Sequence, residues 1–281
     1  MRRCLALIAF LLPMPLMAEV CGREGPACET PLGSYRIALP DTPKPETGYP
    51  ALFFFHGARG TGARTLSNTG MVDRFRARGY AVVAPDGLPR PNSRFGPGWS
   101  FHPEREKQRD ERTFTAEVIA DAAREHGIDA GRILLSGFSI GGSLTWYLAC
   151  EDPGLARAYA PVGGAFWRPH PEIGSCAGPI HLLHTHGWRD RVVPLEGRPL
   201  GGGQIYQGDV HYGFQILRDL NGCAGLRADV FDTDGTFWRR SWEECGSGMA
   251  LEFALHAGGH TVPIEWSDMA LDWFEALPPS D

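Results

Sequence analysis

A serine flanked by glycines, set between an apolar run and a helical segment, constrains the fold of this chain more than any other feature. Residues 133–135 (Ile-Leu-Leu) are typical of a buried strand, and residues 143–150 have the spacing of an amphipathic helix. Between them lies Gly-Phe-Ser-Ile-Gly at residues 137–141. Such a turn strains the backbone of Ser139 and leaves room only for glycine two residues before and after it. The pattern predicts a strand, a sharp turn with a projecting hydroxyl, and a helix; an ordinary Gly-rich turn is the alternative.

The rest of the chain alternates predicted strands and helices. Predicted strands cover residues 34–39, 51–55, 80–84, 156–162, 179–186, 236–242 and 250–256, and predicted helices cover residues 71–78, 113–127, 210–220 and 264–277. Several of the strands are continuous apolar runs, which indicates burial on both faces. The pattern predicts an α/β fold with a doubly wound, mostly parallel sheet, formed as one domain by residues 19–281.

A long loop at residues 88–112 interrupts this alternation. Its charged part, residues 104–112, predicts a solvated helix start or the surface of a lid. Trp99 lies in this loop and Trp188 in a later one, and both loops leave the sheet at the edge where Ser139 is expected. We therefore expect the two rings to form aromatic walls of a substrate cleft. Inward packing beneath the loops is the alternative.

The first 18 residues have the composition of a signal peptide. Arg2 and Arg3 precede an apolar run at residues 4–12 that is too short to span a membrane, and residues 13–18 resemble a cleavage region. A buried N-terminal helix is the alternative. No later stretch is apolar for long enough to span a bilayer. We therefore expect a secreted or periplasmic protein without a transmembrane segment.

Cysteine usage agrees with export. Once the leader with Cys4 is removed, six cysteines remain, an even number that indicates disulfides in an exported chain: Cys21, Cys28, Cys150, Cys176, Cys223 and Cys245. Fifteen pairings are possible, and we favour neighbours in sequence. Zinc is the rival interpretation, but the cysteines have no C-x-x-C spacing, so no metal site is predicted.

Composition and net charge limit the classes of partner expected for this chain. Hydrophobic residues make up 43% of the chain and charged residues 21%, which predicts an ordinary packed core. The net charge of −6 argues against nucleic acid or an anionic membrane as a partner.

An activated serine requires a base and a carboxylate that orients the base. Asp190 follows a predicted strand at the carboxyl edge of the sheet, and His260 lies in a Gly-rich loop before the last predicted helix. The order Ser139, Asp190, His260 is the chain order of the triad in α/β-hydrolases. The alternatives are weaker. Asp232 and Asp234 have the pattern of a turn, His184 and His186 share one strand face and are candidates for simple burial, and His56 is expected to steady its own loop.

The chain carries a set of motifs that resembles a known family. Five motifs occur in order: His56-Gly57, Gly137-Phe-Ser139-Ile-Gly141, Gly187-x-x-Asp190-x-Val-Val-Pro194, Trp242-x-x-Cys245 and Gly258-Gly-His260-Thr-x-Pro263. Together they resemble the group of α/β-hydrolases that contains secreted polyhydroxybutyrate depolymerases and feruloyl and acetylxylan esterases, the first carbohydrate esterase family. The likeness extends from residue 34 to the end of the chain.

The resemblance implies an exported ester hydrolase with Ser139 as nucleophile, Asp190 as acid and His260 as base, and without a metal or organic cofactor. It also implies an oxyanion hole formed by the backbone N–H groups of Ala58 and Ile140. The chain departs from the family at Val262, where an aromatic residue is common, and at Trp188-Arg189 before the acid. We therefore expect esterase chemistry on a feruloyl, acetyl-sugar or hydroxyalkanoate ester. An acyltransferase or peptidase using the same triad, and a non-catalytic exported binding protein, are the alternatives.

Overall fold

The computed structural model describes residues 21–90 and 96–278, so the predicted signal peptide at residues 1–18 lies outside the described residues. Thirteen strands and six α-helices lie within them. The strands are β1 (Cys28–Thr30), β2 (Gly33–Ala38), β3 (Tyr49–Phe55), β4 (Ala81–Pro85), β5 (Ile128–Phe138), β6 (Ala158–Val162), β7 (Trp167–Arg168), β8 (Leu182–Gly187), β9 (Pro199–Leu200), β10 (Ile205–Gln207), β11 (Val230–Asp232), β12 (Phe237–Trp242) and β13 (Leu251–His256). The helices are α1 (Gly62–Leu66), α2 (Thr69–Ala77), α3 (Glu111–His126), α4 (Ile140–Glu151), α5 (Val210–Asn221) and α6 (Trp266–Glu275).

Ten of the strands form one sheet in the order β1-β2-β4-β3-β5-β6-β8-β13-β12-β11. The six central strands, from β4 to β13, pair in parallel, and the pairs at the two edges are antiparallel. The fold is therefore that of an α/β-hydrolase with a mostly parallel sheet, and the predicted fold class is confirmed. No helix among residues 21–90 and 96–278 is long and apolar enough to cross a bilayer.

Helices cover the sheet on both faces, which explains why the central strands are apolar throughout. Strand β3 shows this directly, because Phe53 packs on the side of α3, α4 and α5, and Phe54 packs on the side of α1, α2 and α6. Both side chains are almost fully buried. Burying a phenylalanine side chain stabilises a fold by about 1.5–3 kcal/mol, so residues 51–55 form a strong centre for the sheet.

Several short elements of the fold, β1 and α1 among them, are not predicted by the sequence pattern. Strands β7, β9 and β10 form a separate three-stranded sheet, and β11 extends the edge of the main sheet. The strands are only two or three residues long, so they carry too few residues to show an alternating pattern.

The prediction that residues 104–112 are a solvated helix start or lid surface holds for most of the segment, which is exposed and leads into α3, but it is wrong for one pair. Arg109 and Glu111 are buried, and their side chains form an ion pair at 2.8 Å. The Arg109 guanidinium also donates to the backbone carbonyls of Leu32 and Asp86, and Glu111 accepts from the Ser100 N–H. Sequence pattern cannot show this pair, because the groups that satisfy the two buried charges come from other parts of the chain.

The six cysteines pair with their neighbours in sequence: Cys21 with Cys28, Cys150 with Cys176, and Cys223 with Cys245. This is the pairing that the sequence analysis favours. The second bridge ties the end of α4 to the segment before β8, and the Ala177 N–H donates to the Cys150 carbonyl beside it.

Replacing Cys150 and Cys176 together by alanine should lower the free energy of unfolding by about 3 kcal/mol, because the bridge closes a span of 26 residues in the unfolded chain. Urea unfolding of the purified protein measures this. The matched control is the double alanine variant of Cys21 and Cys28, whose span is 7 residues and whose loss should be smaller, about 2 kcal/mol. Free thiols at these positions in the unreduced wild-type protein would contradict the pairing.

Candidate active site

Ser139 lies at the tip of the turn between β5 and α4. Its backbone has φ 59° and ψ −118°, a positive φ that a residue with a side chain rarely adopts. Two hydrogen bonds hold it there, from the Ser139 N–H to the Val162 carbonyl at 3.0 Å and from the Ser143 N–H to the Ser139 carbonyl at 2.8 Å. The strained turn and the start of the helix therefore fix the direction in which the hydroxyl projects.

The two glycines of the motif are required by close backbone contacts. A methyl group on Gly137 would lie 2.5 Å from the Gly141 carbonyl oxygen. One on Gly141 would lie 2.1 Å from the carbonyl oxygen of Phe55, at the end of β3. Both distances are far inside van der Waals contact, and the obstructing atoms are backbone, so no side chain can be accommodated.

Asp190 and His260 form a short hydrogen bond, with 2.6 Å between His260 Nδ1 and Asp190 Oδ2. The other carboxylate oxygen, Oδ1, accepts the N–H groups of Val192 at 2.8 Å and Val193 at 2.9 Å. Burial alone would raise the pKa of Asp190, but the hydrogen bonds from His260 and from these two backbone groups hold the pKa below its usual range. Asp190 therefore remains an anion and orients the imidazole.

His260 lies directly beside the serine turn. Its ring stacks at a tilt on Phe138, the residue before Ser139, with 4.6 Å between ring centroids. A methyl group on Gly163 would lie 3.5 Å from the His260 Nδ1 and Cε1 atoms. Gly163, which has φ 58°, was not singled out from the sequence, although a Gly-Gly pair directly after a buried strand is a signal that could have identified it.

The Asp190 loop (residues 187–193) and the His260 loop (residues 256–263) are joined through their backbones. The Trp188 N–H donates to the His256 carbonyl at 2.8 Å, and the next N–H in the Asp190 loop donates to a carbonyl of the His260 loop at 2.9 Å. A methyl group on Gly187 would lie 2.1 Å from a backbone oxygen of the His260 loop. The two loops therefore hold the acid and the base in one fixed arrangement.

The peptide between Gly57 and Ala58 is also fixed. The Gly57 carbonyl accepts from His56 Nδ1 at 2.8 Å and from the Gly60 N–H at 3.0 Å. In a trans peptide the N–H points away from the carbonyl, so these bonds set the direction of the Ala58 N–H. A methyl group on Gly57 would lie 3.3 Å from the Ser139 Cβ, which places this peptide next to the serine.

The second candidate donor to an oxyanion is Ile140, the first residue of α4. The first N–H groups of a helix have no intrahelical acceptor and lie at the positive end of the helix dipole. His56 steadies the opposite donor as expected, because its Nε2 accepts the Gly87 N–H at 3.0 Å. Burial lowers the pKa of His56, which favours the neutral ring that this acceptor role requires.

The expectation that Trp99 lines the cleft is wrong. Only 1% of Trp99 is exposed, its indole N–H donates to the His56 carbonyl at 2.9 Å, and its ring packs on Phe55 and His56. Apolar contact and a buried acceptor for the indole N–H together favour inward packing over exposure in the cleft. Trp188, by contrast, is 59% exposed on the Asp190 loop.

The structure therefore brings Ser139, Asp190 and His260 to the carboxyl ends of β5, β8 and β13, with the peptide N–H groups of Ala58 and Ile140 on the candidate oxyanion side. Such a constellation can carry out nucleophilic acyl transfer, in which a histidine activates a serine and backbone N–H groups stabilise a developing oxyanion. The class of protein that this fold defines is that of the α/β-hydrolases.

Comparison with known proteins refines the class. The profile of the phospholipase/carboxylesterase family matches residues 49–200, more than half of the chain. The chain therefore belongs to this family, and its class is that of the carboxylic ester hydrolases.

Several proteins similar to this chain are feruloyl esterases by name. The chain is 23% identical to a probable feruloyl esterase C of Aspergillus niger over 272 residues, 89% of this chain and 88% of the relative. It is 23% identical to feruloyl esterase D of Neurospora crassa over 242 residues, 80% and 73% of the two chains. With feruloyl esterase B of Piromyces equi the identity is 26% over 220 residues, 75% of this chain and 39% of the relative, so this chain spans well under half of that protein.

Solved structures share the fold. An acetyl xylan esterase from Aspergillus awamori superposes with a TM-score of 0.62 at 16% identity, over 86% of this chain and 93% of that chain. An S-formylglutathione hydrolase from Agrobacterium tumefaciens gives a TM-score of 0.59 at 14% identity, over 94% and 100% of the two chains.

Two buried histidines near the site link stability to pH. Burial lowers the pKa of His186 to about 4 and holds the pKa of His184 well below its usual value. An unfolded chain binds these protons near pH 6.5, so the unfolded state gains protons that the folded state does not as the pH falls from about 6.5 towards 4. Above pH 6.5 we expect these residues to leave the free energy of unfolding undiminished. Below pH 6.5 they should lower it by up to about 1.4 kcal/mol per pH unit for each histidine.

Urea unfolding between pH 7 and pH 4.5 measures this dependence. His186→Gln should flatten it by the contribution of one proton, whereas replacing the exposed residue Arg191 by Gln should leave the slope unchanged. An identical slope in wild type and His186→Gln would contradict the assignment.

Proposed function

We propose that the protein is an exported serine esterase that forms an acyl-enzyme at Ser139. The observation that carries the proposal is the 2.6 Å hydrogen bond between His260 Nδ1 and Asp190, formed by a histidine that stacks beside the strained serine turn. Membership of a carboxylesterase family supports the ester as the bond that is cleaved. Three disulfides and the composition of residues 1–18 support export.

The mechanism follows from the proton positions. Because His260 Nδ1 donates to Asp190, the neutral ring has a free lone pair on Nε2, which accepts the Ser139 hydroxyl proton as the oxygen attacks the ester carbonyl carbon. The carbonyl oxygen becomes an oxyanion and accepts hydrogen bonds from the Ala58 and Ile140 N–H groups. Each such donor stabilises the transition state by about 2.7–4 kcal/mol.

Collapse of this intermediate breaks the bond to the alcohol, which leaves with the proton from His260. Water then enters, gives one proton to His260 Nε2 and attacks the acyl carbon. The second collapse returns the proton to Ser139 and releases the carboxylic acid.

We infer that the acyl group is a feruloyl or acetyl group carried by a sugar or polysaccharide, because the named relatives that cover most of this chain are feruloyl esterases. Trp188 supports an aromatic acyl group. Its ring is exposed while its backbone N–H is fixed two residues before Asp190, so the ring is available for stacking.

Replacing Ser139 by alanine should abolish ester hydrolysis and labelling by a fluorophosphonate probe. The change removes only a hydroxyl at a turn tip, so the circular dichroism spectrum should match that of wild type. Release of acid and alcohol from ethyl ferulate, with and without an added alcohol acceptor, measures activity and distinguishes hydrolysis from acyl transfer. Substantial turnover by the variant would show that another residue is the nucleophile.

Trp188→Ala should lower kcat/KM for a feruloyl ester by roughly 10-fold, corresponding to about 1.4 kcal/mol of lost transition-state contact, and change activity on a small acetate ester only a few-fold. The matched control is Trp238→Ala on β12, the strand next to the edge of the main sheet, where the indole is 40% exposed and both activities should stay unchanged. Equal losses on both esters for Trp188→Ala would mean that the ring supports the Asp190 loop and does not contact the substrate.

A further inference from the structure

A continuous chain of hydrogen bonds runs through the protein core towards the Asp190 loop. The Trp146 indole N–H donates to His184 Nδ1 at 3.2 Å, His184 Nε2 and His186 Nδ1 are 2.9 Å apart, and His186 Nε2 lies 2.7 Å from the Val193 carbonyl oxygen. Trp146 is 1% exposed and both histidines are fully buried. No step of the proposed chemistry uses these side chains.

The two ends of the chain fix the direction of every bond in it. An indole N–H can only donate, so His184 Nδ1 must be the acceptor and the His184 proton lies on Nε2. That proton is donated to His186 Nδ1, which places the His186 proton on Nε2, facing the Val193 carbonyl. A carbonyl can only accept, so the chain is consistent from end to end with two neutral imidazoles, each in the Nε2–H form.

The chain ends on the residue that holds the acid. The Val193 carbonyl accepts from His186, and the Val193 N–H donates to Asp190 Oδ1 at 2.9 Å. His186 Nε2 also lies 3.5 Å from Asp190 Oδ2, the oxygen that accepts from His260. A displaced Val193 would therefore turn the carboxylate away from the His260 ring.

We propose that His186, held in its Nε2–H form by His184 and Trp146, is a positioning residue for Asp190. The inference rests on the proposed role of Asp190 in the esterase mechanism. His186 acts through Val193 and touches neither the substrate nor the reacting atoms.

Neutrality of His186 is part of this arrangement. The titratable groups around it are His184, His256, His260 and Asp190, and burial keeps its pKa at about 4. A cationic His186 would offer Asp190 Oδ2 a second positive partner, in competition with the imidazolium that forms on His260 during catalysis. The neutral ring holds the loop and leaves the charge of Asp190 available to His260.

Two substitutions of His186 distinguish the hydrogen bonds made at the two ends of its ring. Asparagine can place an acceptor near the Nδ1 position, towards His184, but cannot reach Val193. Glutamine can place an N–H near the Nε2 position, towards Val193, but leaves the His184 N–H without its acceptor. If His186 positions Asp190, activity follows the bond to Val193, whereas a purely structural role makes activity independent of which bond is kept.

We expect His186→Asn to lower kcat roughly 10- to 100-fold with KM within about 2-fold of wild type, as a small displacement of a catalytic group does. The acid limb of its kcat/KM profile should move relative to wild type, because the contact of His260 with Asp190 is altered. His186→Gln should retain kcat within about 3-fold. Rates are normalised to the sites titrated with a fluorophosphonate probe, which removes any effect of unfolded protein.

The matched control is His181→Asn. His181 is a buried histidine just before β8, the strand that carries His186. Its Nδ1 accepts the Ala250 N–H at 2.9 Å, and asparagine can replace that acceptor. Its kcat and pH profile should equal those of wild type. If His186→Asn does not fold, Trp146→Phe takes its place. It keeps ring packing, removes one of the two end groups that hold the chain in its direction, and should lower kcat by about 2- to 5-fold.

The positioning role would be overturned if His186→Asn had the same kcat as wild type, or if the Asn and Gln variants lost equal activity. Where Trp146→Phe replaces His186→Asn, an unchanged kcat in that variant would overturn it as well. Ser139→Ala and Asp190→Asn keep this outcome distinct from failure of the proposed function. If both lose activity while His186→Asn retains it, the esterase mechanism stands and only the role of His186 fails. Full activity in either variant would refute the esterase mechanism itself.

Discussion

The close approach of three backbone segments at the serine turn is the constraint on which the rest of the structure depends. The carbonyl of Phe55, the turn at residues 137–141 and the Val162 carbonyl all meet there without room for a side chain at Gly137 or Gly141. That contact aligns the ends of β3, β5 and β6, and it places the Gly57–Ala58 peptide beside Ser139. The geometry around the nucleophile is thus a consequence of backbone packing between central strands.

The parallel sheet supplies the second part of the site. Strands β8 and β13 are neighbours, so the loops that follow them emerge side by side and can bond to each other before either reaches the serine. This explains how Asp190 and His260, 70 residues apart, meet at 2.6 Å. Parallel strands bring chemistry from distant parts of a chain to one edge, which is the general reason that such folds carry sites there.

The chain itself predicts the features that depend on local pattern. Alternation of apolar runs and amphipathic segments predicts the sheet and most helices, and a Gly-flanked serine, an Asp and a His at strand ends indicate the candidate triad. Side chains whose partners are distant in sequence are not predictable in this way. The pattern places Trp99 and Arg109 in an exposed loop, yet each is buried because acceptors from other segments satisfy its polar group. For His184 and His186 the pattern predicts burial, but the chain of hydrogen bonds emerges only when Trp146 and Val193 are placed at its ends.

At one position in the junction of the Asp190 and His260 loops, the backbone and the side chain have separate roles. At Trp188 the backbone N–H fastens the two loops, while the side chain projects into solvent and bonds to neither. Evolution can therefore exchange the side chain at this position without loosening the catalytic frame, because any residue except proline supplies the same N–H. Position 188 is accordingly a natural site for divergence among descendants of one esterase, and a sound first choice for a saturation library aimed at new acyl groups.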